Sequence, residues 1–168
     1  MTLSRRHLLR SSALVPVAVA LPLGACQLTF SQVVATLAAD AQLIASGLAG
    51  ALKQLSTLGL GWFTPAAQAA ASNALTGIQQ VAASLGQASG QAAAQPLVQQ
   101  LQTYLAAFLV ALPVNLLPQP AGLIISAAII LLPTLFTAVN LAAPPPVAAP
   151  VVTLTTDQAR TVLAAPAS

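Results

Sequence analysis

The residues in this sequence that could do chemistry are few and far apart. General acid–base work needs a titratable group beside the reacting proton. Past Arg10 the chain offers two acids, Asp40 and Asp157, two bases, Lys53 and Arg160, and no histidine or glutamate. The aspartates stand 117 positions apart, which gives no carboxylate pair in sequence. Serines are plentiful, but a serine nucleophile needs a base. Lys53, flanked by Ser46 and Ser56 at no recognised spacing, reads as a solvated residue near a helix C-terminus, where its charge suits the helix dipole. Cys26 is the only cysteine, so no disulfide can form within the chain. Two lone aspartates make no metal site, and no glycine-rich phosphate loop occurs. This inventory argues against an enzyme and calls for no cofactor.

The one reactive side chain has a context of its own. Leu23, Gly24 and Ala25, a branched apolar residue and two small ones, lead into Cys26. Before them, Ala13 to Leu23 form an apolar core broken by Pro16 and Pro22, shorter than the ~20 apolar residues a membrane helix needs. Ahead of that core stands Ser4-Arg5-Arg6-His7-Leu8-Leu9-Arg10. In this order the stretches resemble the signal of bacterial lipoproteins exported by the twin-arginine route, with Leu8 where that family most often has Phe and Arg10 where it most often has Lys. The resemblance covers residues 4–27 alone. It implies that 1–25 is a cleaved signal, that Leu23, Gly24 and Ala25 form the lipobox, and that Cys26 receives diacylglycerol. By the same resemblance the partner is membrane lipid and the place is the cell envelope, facing the periplasm. Gln27, rather than Asp, after the cysteine implies sorting to the outer membrane.

Cleavage there would remove Arg5, Arg6, Arg10 and His7, leaving two acids against two bases and a net charge of zero. The basic isoelectric point would then belong to the precursor and predict no affinity for nucleic acid. Between Lys53 and Asp157 no Asp, Glu, Lys, Arg or His occurs. Soluble domains carry about a quarter of their residues charged, so a chain this poor in charge needs lipid, partner or membrane to stay dispersed.

The apolar residues fall at helical spacing. Thr29-Phe30-Ser31-Gln32 fits a capping box, and Phe30, Val34, Leu37, Ala41, Ile44, Leu48, Ala51 and Leu55 make one stripe, predicting a helix over 30–57. Gly47 and Gly50 inside it would admit a close neighbour or mark a bend. Trp62 and Phe63 fall at a corner and would either cap a helical core or sit at a lipid interface. Thr64-Pro65 starts a second helix with Ala71, Leu75, Ile78, Ala82 and Leu85 inward, ended by Gly86 and Gly90. A third is predicted to start at Pro96, with Leu97, Leu101, Leu105, Phe108 and Leu112 on one side.

After a turn with three prolines, Pro113 to Pro120, comes an apolar run from Ala121 to Ala143, long enough to span a bilayer yet holding Pro133. Buried at the centre of a bundle or crossing a membrane, such a run looks the same. A folded export substrate, and two earlier stripes in need of a partner, favour an all-α fold: an Ala-rich bundle of about four helices over 26–143. The alternative is a hairpin of 104–143 inserted in a bilayer. A Pro-rich linker over 144–154 leads to a tail, 155–168, where Thr155 and Gln158 repeat the capping box and Asp157 and Arg160 can pair. That short C-terminal helix either docks on the bundle or meets an envelope protein. The expected role is a lipid-anchored, non-enzymatic structural or interaction lipoprotein. A membrane-active protein is the rival, and an apolar ligand among the helices would find no polar group to orient it.

Overall fold

The computed structural model describes residues 30–142 and 152–165. The twin-arginine stretch, the lipobox, Cys26, the Thr29 half of the first capping box and the prolines from Pro144 to Pro150 lie outside those residues. The chain is all-α, a small helical bundle. Its helices are α1 (Phe30–Thr57), α2 (Pro65–Leu85), α3 (Gln91–Val110), α4 (Ala121–Ala138) and α5 (Thr156–Ala164), with a 3-10 turn at Val114–Leu116. No strand occurs among the described residues.

The first two helices form as the stripes require. Val34, Leu37, Ala41, Ile44, Leu48, Ala51 and Leu55 are buried on α1, and Ala71, Leu75, Ile78, Ala82 and Leu85 on α2. The Thr64 hydroxyl accepts from the Ala67 amide, with Pro65 in the first turn where its missing N–H costs nothing. Trp62 and Phe63 stack edge to face at 5.7 Å and pack, partly buried, on the core, which is the capping alternative.

Helix α3 departs from expectation by starting at Gln91, five residues before Pro96. Gly90 is its N-cap, and the Gly90 carbonyl accepts from the Ala93 and Ala94 amides. Pro96 removes only the bond to the carbonyl of Ala92, an exposed residue that water can serve, so the helix continues through it. Close to its far end Val110 points to solvent at 88 % exposure, although its neighbours Phe108, Leu109 and Leu112 are buried.

The long apolar run is likewise cut short. Helix α4 stops at Ala138, and Asn140 takes a left-handed conformation at φ 54°. The Leu141 amide donates to the Phe136 carbonyl and the Asn140 amide to the Thr137 carbonyl, the paired closure of a Schellman motif. An asparagine tolerates that conformation better than most residues, which is the signal that 121–143 would not be one helix. Pro133 lies within α4 without ending it.

Helix α1 is the common element: α2, α4 and α5 all pack on it, while α3 pairs with α2 and touches α4 less. Ile124, near the start of α4, lies beside Gly47. The end of α4 faces Val33, Leu37 and Asp40, so α4 runs antiparallel to α1. Gln91 and Gln95 of α3 both donate to the Val139 carbonyl, at 2.9 and 3.1 Å, and tie the start of α3 to the end of α4. Twelve of the eighteen residues of α4 are buried, which makes it the inner helix of the bundle.

Two glycines permit the closest approaches. A Cβ at Gly47 would overlap Leu163 Cδ2 of α5, and one at Gly77 would stand 2.6 Å from the Tyr104 ring of α3.

Candidate functional site

Of the residues singled out from sequence, Ser4, Arg5, Arg6, Leu8, Leu9, Arg10, Leu23, Gly24, Ala25 and Cys26 lie outside the described residues. Lys53 is exposed, as expected of a solvated residue. The serines beside it are occupied locally, the Ser46 hydroxyl donating to the Leu43 carbonyl and the Ser56 hydroxyl to the Lys53 carbonyl. Among the described residues no three His, Cys, Asp or Glu side chains gather as metal ligands would.

What the fold does bring together was not read from the sequence. Asp40, only 5 % exposed, lies on α1 where Leu37 and Ala41 are also buried, and it meets Arg160 of α5 across 120 positions. Arg160 Nε donates to Asp40 Oδ1 at 2.9 Å and Nη2 to Oδ2 at 2.8 Å, the two-pronged fit of guanidinium to carboxylate. The expected neighbour, Asp157, lies 3.6 Å from Arg160 Nη1 and is almost wholly in water. The hydrogen bond to Asp40 and then its charge raise the Arg160 pKa above the usual guanidinium value. Burial opposes this slightly, and the Asp157 charge adds to it. The weak surface pairing of Asp157 with Arg160 expected from sequence is therefore present, and the stronger partner, Asp40, was missed because separation along the chain says nothing about contact between helices.

This pair fixes α5. The Thr155 hydroxyl accepts from the Gln158 amide and the Gln158 side chain accepts from the Thr155 amide, so both halves of the predicted capping box form. Ala159 and Leu163 face inward against α1 and α4. The approach to α5 is held as well: the Val152 amide donates to the hydroxyl of Ser126, a fully buried serine on α4 whose own proton goes to the Gly122 carbonyl at 2.8 Å. The tail therefore docks on the bundle.

Beside the pair opens a cleft of ≈ 230 Å³ between the first turns of α1 and the last turns of α4. Its walls are Val33, Thr36, Leu37, Thr134, Leu135 and Ala138, with Asp40 and Arg160 at one side. The polar groups here bond within the protein: the Thr36 hydroxyl donates to the Gln32 carbonyl, the Thr134 hydroxyl to the Leu131 carbonyl, and both Asp40 oxygens accept from Arg160, whose Nη1 lies 3.6 Å from Asp157. The arrangement holds two elements together and offers an apolar surface.

The class defined by these observations is a small all-α bundle with an ion-paired C-terminal helix and an apolar cleft. No family model matches the chain, no curated protein matches it, and no solved structure matches its fold. Two helices, Ser31–Thr57 and Ala121–Ala138, are long and apolar enough to cross a membrane by length and composition, which weakly suggests membrane association.

Proposed function

We infer that the chain is a non-enzymatic structural or interaction lipoprotein of the bacterial cell envelope, held on the membrane by lipid on Cys26 and facing the periplasm. The observation that carries this reading is the succession of twin-arginine motif, broken apolar core and lipobox directly ahead of the bundle. Helix α1 begins four residues after Cys26. So short a tether keeps the bundle close to the bilayer, and α1, ~42 Å long at 1.5 Å per residue, reaches away from its own N-terminal end. The resemblance to lipoproteins, with Gln27 after the cysteine, supports sorting of the anchor to the outer membrane. An envelope partner would meet α5 on its outward side, at Asp157 and Thr161, because Ala159 and Leu163 are already buried.

One observation favours the rival reading, in which 104–143 inserts as a hairpin: α4 has the composition of a membrane span. Against it stand its surroundings. Two thirds of the residues of α4 are buried in the bundle.

Labelled palmitate should enter the protein in growing cells, and blocking lipoprotein signal peptidase should leave the longer precursor. With Cys26→Ser the chain should no longer float with vesicles in a density gradient. Failure to take up label would remove the anchor, and flotation of the Cys26→Ser chain would promote the membrane-inserted hairpin.

A further inference from the structure

We propose that the cleft between the start of α1 and the end of α4 receives one of the acyl chains carried by the protein's own Cys26. The inference rests on the lipoprotein reading and extends it, by giving the lipid a second place to lie besides the bilayer.

The chemistry of the cleft selects its occupant. Val33, Leu37, Leu135 and Ala138 present hydrocarbon, and every described polar group on the walls is already hydrogen-bonded within the protein. The polar donor that remains, Arg160 Nη1, is shared with Asp157 at 3.6 Å at one side of the cleft, so the fitting ligand is an alkyl chain whose polar end stays outside. At ≈ 230 Å³ the space is smaller than the ~300 Å³ at which pockets for whole small molecules begin. It suits a length of a single chain rather than a complete lipid.

Charge then separates a tethered chain from a free fatty acid. The charged groups at the cleft are Asp40, Arg160 and, just outside, Asp157, two negative against one positive. Lys53 is ~20 Å further along α1. A free carboxylate would meet net negative charge beside an arginine that is already engaged on two of its nitrogens. An acyl chain on Cys26 carries no charge.

Reach completes the argument. Val33 lies in the first turn of α1, so the cleft opens where the helix begins. From Phe30 back to Cys26 is four residues, at most ~14 Å of extended chain. A tether that short holds the acyl group at a high effective concentration beside the cleft, an advantage that no lipid arriving from solution has.

The test uses the full chain in the cells that lipidate it, grown with a palmitate analogue bearing a diazirine, and reads two things: label on Cys26, and the peptides joined to it after illumination. Crosslinks within the cleft, to the stretches 33–40 and 134–138 of the same molecule, are expected. They should be lost in Ala138→Trp, which fills the cleft from an exposed helix end, while label on Cys26 and the circular dichroism melt stay unchanged. Leu60→Trp, on the loop after α1, controls for adding an indole and should keep the crosslinks. Label on Cys26 without cleft crosslinks overturns the docking and leaves the anchor standing. Cleft crosslinks of equal yield in Cys26→Ser would assign the cleft to a separate lipid and also overturn it. Absence of label on Cys26 defeats the lipoprotein reading itself, and the docking with it.

Discussion

Replacing Arg160 by alanine should undock α5, and the size of the effect follows from what is left behind. Asp40 keeps its buried position, 7 % exposed in its side chain, and loses both hydrogen-bond donors at once. Breaking a fully buried ion pair from one side costs ~3–5 kcal/mol, because the remaining charge has no partner. Here the arginine is 38 % exposed, and water screens the pair, so about 2 kcal/mol is the appropriate scale. Asp40→Ala should cost less than ~1 kcal/mol. It leaves a guanidinium that water already reaches and gains up to ~0.7 kcal/mol of helix propensity in α1. Removing both partners should then recover much of the Arg160→Ala loss, a coupling of ~1–2 kcal/mol in the double-mutant cycle. A nine-residue helix does not persist alone, so the loss should appear as faster amide exchange in 156–164, about 30-fold for 2 kcal/mol. If α5 melts with the bundle, the midpoint should also fall by about 4–8 °C. The assay is hydrogen exchange followed by mass spectrometry on the four members of the cycle, with thermal unfolding alongside. Equal costs for the two single variants with additive behaviour in the double, or unchanged exchange in 156–164 for Arg160→Ala, would refute the account.

Leu163→Ala should lower the protection of the α5 amides further than Arg160→Ala does if packing outweighs the ion pair, since a buried leucine truncated to alanine costs ~2–5 kcal/mol; the same exchange measurement ranks the two. Gly77→Ala should destabilise the contact of α2 with α3 by ~1–2 kcal/mol net, the aromatic overlap outweighing a propensity gain of ~1 kcal/mol, and urea unfolding would show it. Gly47→Ala should be nearly neutral in the same experiment, because the atom it meets is the free end of Leu163, which can turn. The Arg160 pKa is raised by its pairing with the Asp40 carboxylate, so on the alkaline side its contribution stays complete up to the ordinary guanidinium value and is lost only as pH climbs past it. Raising pH from neutral through the range where lysine titrates should leave the protection of 156–164 unchanged once intrinsic exchange rates are divided out.

The helices were legible where a periodic apolar face had to be buried. From Val34 to Leu55 and from Ala71 to Leu85 the members of the α1 and α2 stripes are inside, because a 3.6-residue repeat of Leu, Ile, Val and Ala can satisfy itself in few ways. Boundaries were less so. Pro96 reads as a helix start by its type, but it lies in the second turn of a helix that Gly90 opens, and the missing amide falls on an exposed turn. Asn140 was passed over inside an apolar run, although its tolerance of positive φ is what stops α4. The contact between Asp40 and Arg160 was out of reach of local pattern, yet one clue existed. An aspartate three residues after Leu37 and four before Ile44 sits beside a core face and needs a cation, and past Arg10 the chain has only Lys53 and Arg160 to supply one.

The span of that ion pair also orders events in time. Its two ends are 120 positions apart, the acid on the first described helix and the arginine on the last. During synthesis the other four helices can meet before Arg160 exists, and until it arrives Asp40 must be left hydrated on a helix whose neighbouring residues seek burial. Docking of α5 on α1 and α4 is thereby a signal of completeness: a chain interrupted before α5 would expose both a carboxylate and the apolar side chains that Ala159 and Leu163 cover in the finished molecule.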